Sequence, residues 1–188
     1  MSTISDELSG FLADRLRTAR EKRGWSLADL AERSGVSKAM LSKIERQEVS
    51  PTASILSRIA TAFDITLAEL LREEQTVSKR LLRVDDQPFW QDPETHYTRR
   101  QVFLDSRNPL ELVDVRLPAG ASASFPKSAY ELTRHVIWVL KGQLTIIEGQ
   151  EEHVLKSGDR LEFGRPADVT YRNVSSAPCR YLVALLRI

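Results

Sequence analysis

This 188-residue sequence holds a single cysteine, Cys179, so no internal disulfide can form. A lone thiol in a β-rich stretch reads as a small apolar residue and fits a reducing cytoplasm. There is no run of 18 apolar residues and no secretory signal, and so no ground for expecting a membrane span or export. Net charge is only +1, which removes the broad positive excess that marks many nucleic-acid binders. Residues 1–71 carry ten Lys+Arg against ten Asp+Glu, so the balance holds there too. The three histidines, His96, His135 and His153, leave little material for a nitrogen-rich metal site. Repeats and low-complexity tracts are missing as well. The length leaves room for two modest domains.

What is present is local and ordered. Ser26 to Glu45 reads as two short helices joined by a tight turn. Ser26 and Ser37 stand where N-caps belong, each ahead of an apolar-periodic run. Asp29 follows Ser26 at capping-box spacing. Gly35 falls at the turn, where a positive φ is often needed. Ala31 is small enough for close helix approach, and Leu30, Val36, Leu41 and Ile44 supply the apolar lock. Upstream, Leu8, Phe11, Leu12, Leu16 and Ala19 form a helical stripe. Downstream, Pro51 and Thr52 open a helix with Ile55, Leu56, Ile59, Ala60 and Phe63 on one side. Thr66 with Glu69 then boxes a last short helix ending near Leu71. Positive charge gathers locally at Arg33, Lys38, Lys43 and Arg46. Motif rather than charge therefore points to DNA, with the second helix of the pair in the major groove.

The spacing, caps, turn glycine and core positions together resemble the phage-repressor-like regulators, the Cro/cI or XRE family, over about Leu16 to Leu70. The resemblance implies a five-helix domain over 8–72 with the helix-turn-helix at about 27–46. It implies a recognition helix starting after Ser37, with Lys38, Ala39, Ser42 and Lys43 on its exposed face toward base edges. It places Ser26, Ser37 and Arg46 at phosphates. It also implies that Arg20 and Glu45 form an ion pair bridging two helices.

Beyond Leu71 the chain is polar, and residues 73–82 read as a linker. Short β-rich runs follow: Tyr97–Leu104, Leu110–Leu117, His135–Leu140, Leu144–Ile147, Arg160–Phe163, Val169–Val174 and Cys179–Ile188. Turn residues such as Pro118 to Gly120, Gly142, Gly149, Gly158 and Pro178 separate them, a spacing that predicts a sandwich or barrel. The segment Val136 to Gly142, and Gly158-Asp159 with Asn173 and Tyr181-Leu-Val-Ala, resemble the two motifs of the cupin barrel over 83–188. The resemblance implies that the barrel senses a small molecule.

The resemblance departs from the family at its metal site, which normally holds two or three His and one Glu. The Glu slot holds His135, the first His slots fall in Phe125 to Ser128, and the last is Val169. His96 and His153 match no slot. No metal, no cofactor and no catalytic residue are therefore expected. Strand alternation puts His135, Ile137 and Val139 on one face and Val136, Trp138 and Leu140 on the other. Tyr130, Arg134, His135 and Tyr171 are the candidate effector contacts near the mouth. Lys127, Arg134 and His135 would favour an anionic ligand.

The expectation is an α+β two-domain protein: an N-terminal five-helix repressor-like helix-turn-helix domain and a C-terminal small cupin, jelly-roll-like β-barrel. It would be a cytoplasmic, non-enzymatic, sequence-specific regulator with three partners: double-stranded DNA bearing a palindromic operator, an unidentified small-molecule effector, and a second copy of itself. The outer barrel face near Trp138 is the candidate dimer surface. Two alternatives remain. An epoxidase-like cupin metalloenzyme with a helix-turn-helix appendage would need the missing His/Glu/His triad. An antitoxin-type repressor would leave the barrel without a role.

Overall fold

The computed structural model describes residues 4–71, 80–105 and 107–188, with side chains from residue 10 onward. The chain divides into two compact units, Met1–Thr76 and Val77–Ile188. Most of the expected linker at 73–82 lies outside the described residues, as does the side chain of Leu8.

Among the described residues the first unit has five helices: α1 (Ile4–Lys22), α2 (Leu27–Ser34), α3 (Lys38–Glu45), α4 (Ala53–Ala62) and α5 (Leu67–Leu70). Four of them start on a hydroxyl. Ser26, Ser37, Thr52 and Thr66 accept from the backbone N–H of Asp29, Met40, Ile55 and Glu69. Full capping boxes form at Ser26/Asp29 and Thr66/Glu69, as their spacing predicts. α2 stops at Gly35, whose φ of 64° lies in the left-handed region. Arg58 on α4 reinforces that stop: its guanidinium donates to the carbonyls of Ser34 and Gly35. Leu12, Leu16, Leu30, Leu41, Ile44, Leu56, Ile59 and Phe63 fill the centre. Each such side chain contributes about 1.5–3 kcal/mol when taken out of water. The lock positions Leu30, Val36, Leu41 and Ile44 are all buried, while Ala31 is half-buried.

Among the described residues the second unit has ten strands: β1 (Phe89–Gln91), β2 (Thr98–Leu104), β3 (Leu110–Leu117), β4 (Ser122–Phe125), β5 (Thr133–Lys141), β6 (Gln143–Glu148), β7 (Glu151–Lys156), β8 (Arg160–Glu162), β9 (Val169–Arg172) and β10 (Cys179–Arg187). They pair as one six-stranded sheet, β1-β2-β3-β10-β5-β8, and one four-stranded sheet, β4-β9-β6-β7. Strands β3 to β10 follow jelly-roll order, and β1 and β2 extend the first sheet. The barrel expected from sequence takes the form of two packed antiparallel sheets. Along β5, Thr133, His135, Ile137 and Val139 are buried while Arg134, Trp138 and Leu140 are exposed, the expected alternation.

Three strands have no counterpart in the sequence reading: β1, β4 and β7. All three lie at sheet edges. An edge strand has only one paired neighbour and needs less apolar material, so Ser122–Phe125 and the charged Glu151–Lys156 lack the usual pattern.

Two residues of the second unit hold its loops. Gly142 turns β5 into β6 at φ 89°, and a Cβ there would come within 3.0 Å of the Pro178 carbonyl. Asn173 is fully buried, and its Nδ2 donates to the carbonyls of Leu117, Pro118 and Ala177 at 3.1, 3.0 and 2.8 Å. Its Oδ1 accepts from the Ser175 backbone and hydroxyl. Burial also pushes the Cys179 thiol pKa up to about 11, which keeps it protonated and unreactive.

Candidate functional site

The outward face of α3 carries Lys38, Ala39 and Lys43, all exposed, with Ser42 half-buried beside them. The helix is held from below by Leu41 and Ile44 and at its start by Ser37. Arg46, just past its end, is exposed, and its Nε lies 3.1 Å from Glu48 Oε1, so its charge is shared with a neighbouring carboxylate. The Ser26 hydroxyl is committed to its own helix. It donates to Asp29 Oδ2 at 2.7 Å and accepts from the Asp29 N–H at 3.2 Å. The hydroxyl's donation, with a second from the Ser26 backbone N–H at 2.7 Å, holds the Asp29 carboxyl below the usual carboxylate range.

The bridge between α1 and α3 is present. Arg20 Nε donates to Glu45 Oε1 at 2.7 Å and Nη2 to Oε2 at 2.9 Å, a fork on a carboxylate. Its remaining Nη1 donates to the Trp25 carbonyl at 2.9 Å. Both side chains are largely buried, 13% and 7% exposed. Arg17 adds a bond from Nη2 to the Glu45 backbone carbonyl at 2.7 Å, anchoring the C-terminal end of α3. Sequence reading missed a second brace. Trp25 stacks on Phe63 at 5.7 Å, Arg33 lies 4.4 Å over the Trp25 ring, and Arg23 covers Phe63 at 4.9 Å while donating to its carbonyl.

In the second unit, a small open cleft of about 290 Å³, counting space open to solvent, lies above β5 and the segment after β8. Tyr130, Thr133, Arg134, His135, Phe163 and Val169 contribute to its lining. Three of the four candidate effector contacts therefore meet there. Tyr171 does not: it sits inside, between the sheets, stacked on Tyr181 at 5.7 Å and 10°. Its place near a mouth is thus corrected to the interior, because β9 alternates it inward beside Val169. Tyr130 is buried and Arg134 is exposed at the rim.

His135 is the chemically unusual group. Its ring packs on Tyr130 at 4.8 Å and lies parallel to Phe163 at 5.8 Å. Nε2 is 2.8 Å from Thr133 Oγ1, while Nδ1 is buried and has no hydrogen-bond partner among the described residues. Burial first, and the Arg99 cation second, push its pKa down to about 4. The ring is neutral near pH 7, so His135 does not supply the positive charge expected of it from sequence. It is also a poor start for a metal centre. The Val169 slot is buried and apolar. Among the described residues no group of three or more His, Cys, Asp or Glu converges as a metal site would require. The residues at the cupin metal slots do not fit a metal. Among the described residues, too, no helix is long and apolar enough to cross a membrane.

Against this geometry, the helix-turn-helix family HTH_3 matches residues 16–70. The HTH-type transcriptional regulator SutR of Escherichia coli strain K12 is 32% identical over 176 residues, covering 89% of this chain and 90% of that protein. The HTH-type transcriptional regulator SinR of Bacillus subtilis strain 168 is 34% identical over 64 residues, 34% of this chain and 58% of that one. A solved HTH_3 family transcriptional regulator from Vibrio cholerae shares the fold over 97% of this chain and 98% of its own, with a TM-score of 0.82 at 23% identity. The long match to SutR extends the likeness from the helical unit through both sheets, and the chain belongs to the family of XRE-type helix-turn-helix transcriptional regulators.

Proposed function

We propose that this regulator reads a palindromic operator as a homodimer and that its two-sheet domain holds a small-molecule effector that changes operator affinity. The observation that carries the DNA half is the exposed row Lys38, Ala39 and Lys43 on a recognition helix fixed from behind by the Arg20–Glu45 fork. Lys38 and Lys43 suit guanine O6/N7, and Ala39 suits a thymine methyl. Ser42 lies between them, and Ser26, Ser37 and Arg46 lie toward the phosphates. One such helix covers too few base pairs for genomic specificity, which is the reason for a dimer. The outer face of β5 and β10 offers apolar material for it, with Trp138 and Leu186 both exposed. The effector half rests on the cleft over Tyr130 and His135, with Arg134 at its rim and Tyr171 behind it. The protein acts as a regulator, not an enzyme, and works in the cytoplasm.

Selection of genomic fragments by the full chain tests the reading. The expected product is an inverted repeat with half-sites about 10 base pairs apart, one helical turn. Lys43→Ala is expected to lose about 1–3 kcal/mol on that repeat and little on random DNA. Fragments enriched no better than random sequence, or equal losses on both DNAs, would remove the readout role. Metabolites that all leave operator affinity untouched would remove the effector role.

A further inference from the structure

One cross-strand row on the inner face of the six-stranded sheet contains an unexpected residue. The row runs Trp90, Arg99, Val115, Tyr181 and Val139 across β1, β2, β3, β10 and β5. Directly opposed residues of paired strands point to the same side of a sheet. Trp90, Val115, Tyr181 and Val139 are buried, so Arg99 is aimed at the interior with them. Arg99 itself is half-buried, the one member of the row that carries charge and still reaches water.

Its surroundings are phenols. Tyr97, two residues earlier and buried, lies edge-on to Trp90, the cross-strand partner of Arg99, at 5.8 Å. Tyr181, in the same row, stacks on Tyr171 of the facing sheet. Tyr171 lies 6.2 Å from the Phe163 ring, which packs on Tyr130 at 5.6 Å and on His135 at 5.8 Å. A continuous set of rings therefore runs from the cleft to Arg99. Among the described residues Arg99 has no ion-pair partner; the buried inner-face carboxylate Glu111 instead lies 3.7 Å from Arg187 Nε.

A guanidinium drawn away from bulk water without a counter-ion is costly, and a bound anion offsets that cost. Its fork matches carboxylate, sulfonate and phosphate oxygens two at a time. A second group points to a ligand independently. His135 is 8% exposed, and its Nδ1 has no partner among the described residues. A neutral imidazole nitrogen offers a hydrogen bond but no charge.

We propose that the effector is a small organic anion whose carboxylate, sulfonate or phosphate is bound inside the two-sheet domain by Arg99 and the Tyr97 phenol, with the neighbouring aromatic rings against its apolar part. This rests on the effector reading above and names its chemical class. It moves the cation from Lys127, Arg134 and His135, the positions expected from sequence, to the interior Arg99.

Isothermal titration of the full chain with benzoate, phenyl phosphate and benzenesulfonate, and with benzamide as the neutral match to benzoate, tests it. At least one of the three anions is expected to bind the wild type tenfold or more tighter than benzamide. Arg99→Gln is expected to lose at least tenfold for that anion, and Tyr97→Phe a smaller, two- to fivefold, factor. Far-UV circular dichroism and a cooperative melt establish that each variant is folded. The anion-to-benzamide ratio in the wild type needs no variant at all. The proposal is overturned if no anion binds the wild type, if benzamide binds as well as the anions, or if folded Arg99→Gln binds the anion unchanged. Operator affinity separates this from the broader reading. A neutral compound that shifts it in both wild type and Arg99→Gln keeps the effector and removes the anion. Arg99-dependent anion binding that never shifts operator affinity keeps the site and removes the regulation.

Discussion

Glu45 in the helical unit and His135 in the two-sheet unit are both ionisable groups that folding has taken out of water, and they are treated in opposite ways. Glu45 receives both oxygens' worth of hydrogen bonds from Arg20, and its backbone carbonyl receives another from Arg17. His135 has one nitrogen against Thr133 and the other without a hydrogen-bond partner among the described residues. A fully partnered buried charge fixes geometry, here the angle at which α3 is offered outward. A buried polar atom without a partner is held in place by its neighbours and keeps its hydrogen bond for something else. The difference separates scaffold from site.

The largest test of that contrast is Glu45→Ala. It leaves the largely buried Arg20 guanidinium with only the Trp25 carbonyl and the exposed Glu21 carboxylate at 3.4 Å, and the expected loss is roughly 3–5 kcal/mol. Calorimetry on the full chain should show the transition of the helical unit moving down clearly while the two-sheet transition stays. An unmoved melt would mean that the fork contributes no more than an exposed ion pair.

His135 is expected to act through pH. Its folded pKa is near 4, below the ordinary value of 6.5, so the unfolded chain binds more protons between those limits. Stability is therefore complete above about pH 6.5 and falls as pH drops toward 4. About 2.5 pH units at about 1.36 kcal/mol each amounts to roughly 3 kcal/mol across the window. His135→Phe should flatten that slope for the two-sheet unit. Urea midpoints for wild type and variant that run parallel from pH 4.5 to 7 would show that the ring is protonated or hydrated in the folded state.

How much of this was legible in the sequence follows from the range of the interactions. Caps, the turn glycine and the lock residues of the helical unit act over three to four positions, so Ser26/Asp29, Gly35 and Thr66/Glu69 could be read directly and all take their expected forms. The central strands of the second unit were legible for the same reason, since burial alternates along β3, β5 and β10. The edges β1, β4 and β7 were not, because one-sided pairing places weak demands on composition. The interior chemistry was the least legible. Arg99 reads as an ordinary charged strand residue until the register sets it beside Val115 and Trp90. Tyr171 reads as a mouth residue until β9 turns it inward. Signals for such positions exist only across strands and need the pairing first. Arg58 and the Trp25–Phe63 stack were hidden in the same way, by partners more than 20 positions distant.

Asn173 brings the comparison inside the second unit, since it is buried like His135 but fully partnered like Glu45. Asn173→Ala strips one donor group from three loop carbonyls and one acceptor from Ser175. A loss of about 2 kcal/mol is expected, less than for Glu45 because no charge is stranded and water can reach part of the loop. Asn173→Asp keeps the acceptor and removes the donor, so it should lose as much or more. A thermal shift of the two-sheet unit measures both. A neutral outcome for Asn173→Ala would assign these loops' order to Gly142 and to packing alone.

The smallest expected effect lies at Ser26, where the polar partners are complete but exposed. Ser26→Ala removes the acceptor for the Asp29 N–H and leaves the Asp29 carboxylate only the residue-26 backbone N–H, now at 2.7 Å. The expected cost is about 1 kcal/mol of stability in the helical unit. Ser26→Thr keeps the hydroxyl and should restore most of it. Because the hydroxyl is committed to the cap, any loss of DNA affinity should come through the position of α2 and fall equally on operator and random DNA. If Ser26→Ala instead loses as much stability as Glu45→Ala, then water-exposed capping and buried pairing contribute alike in this fold. The contrast between Glu45 and His135 would then reflect bond counting and not burial.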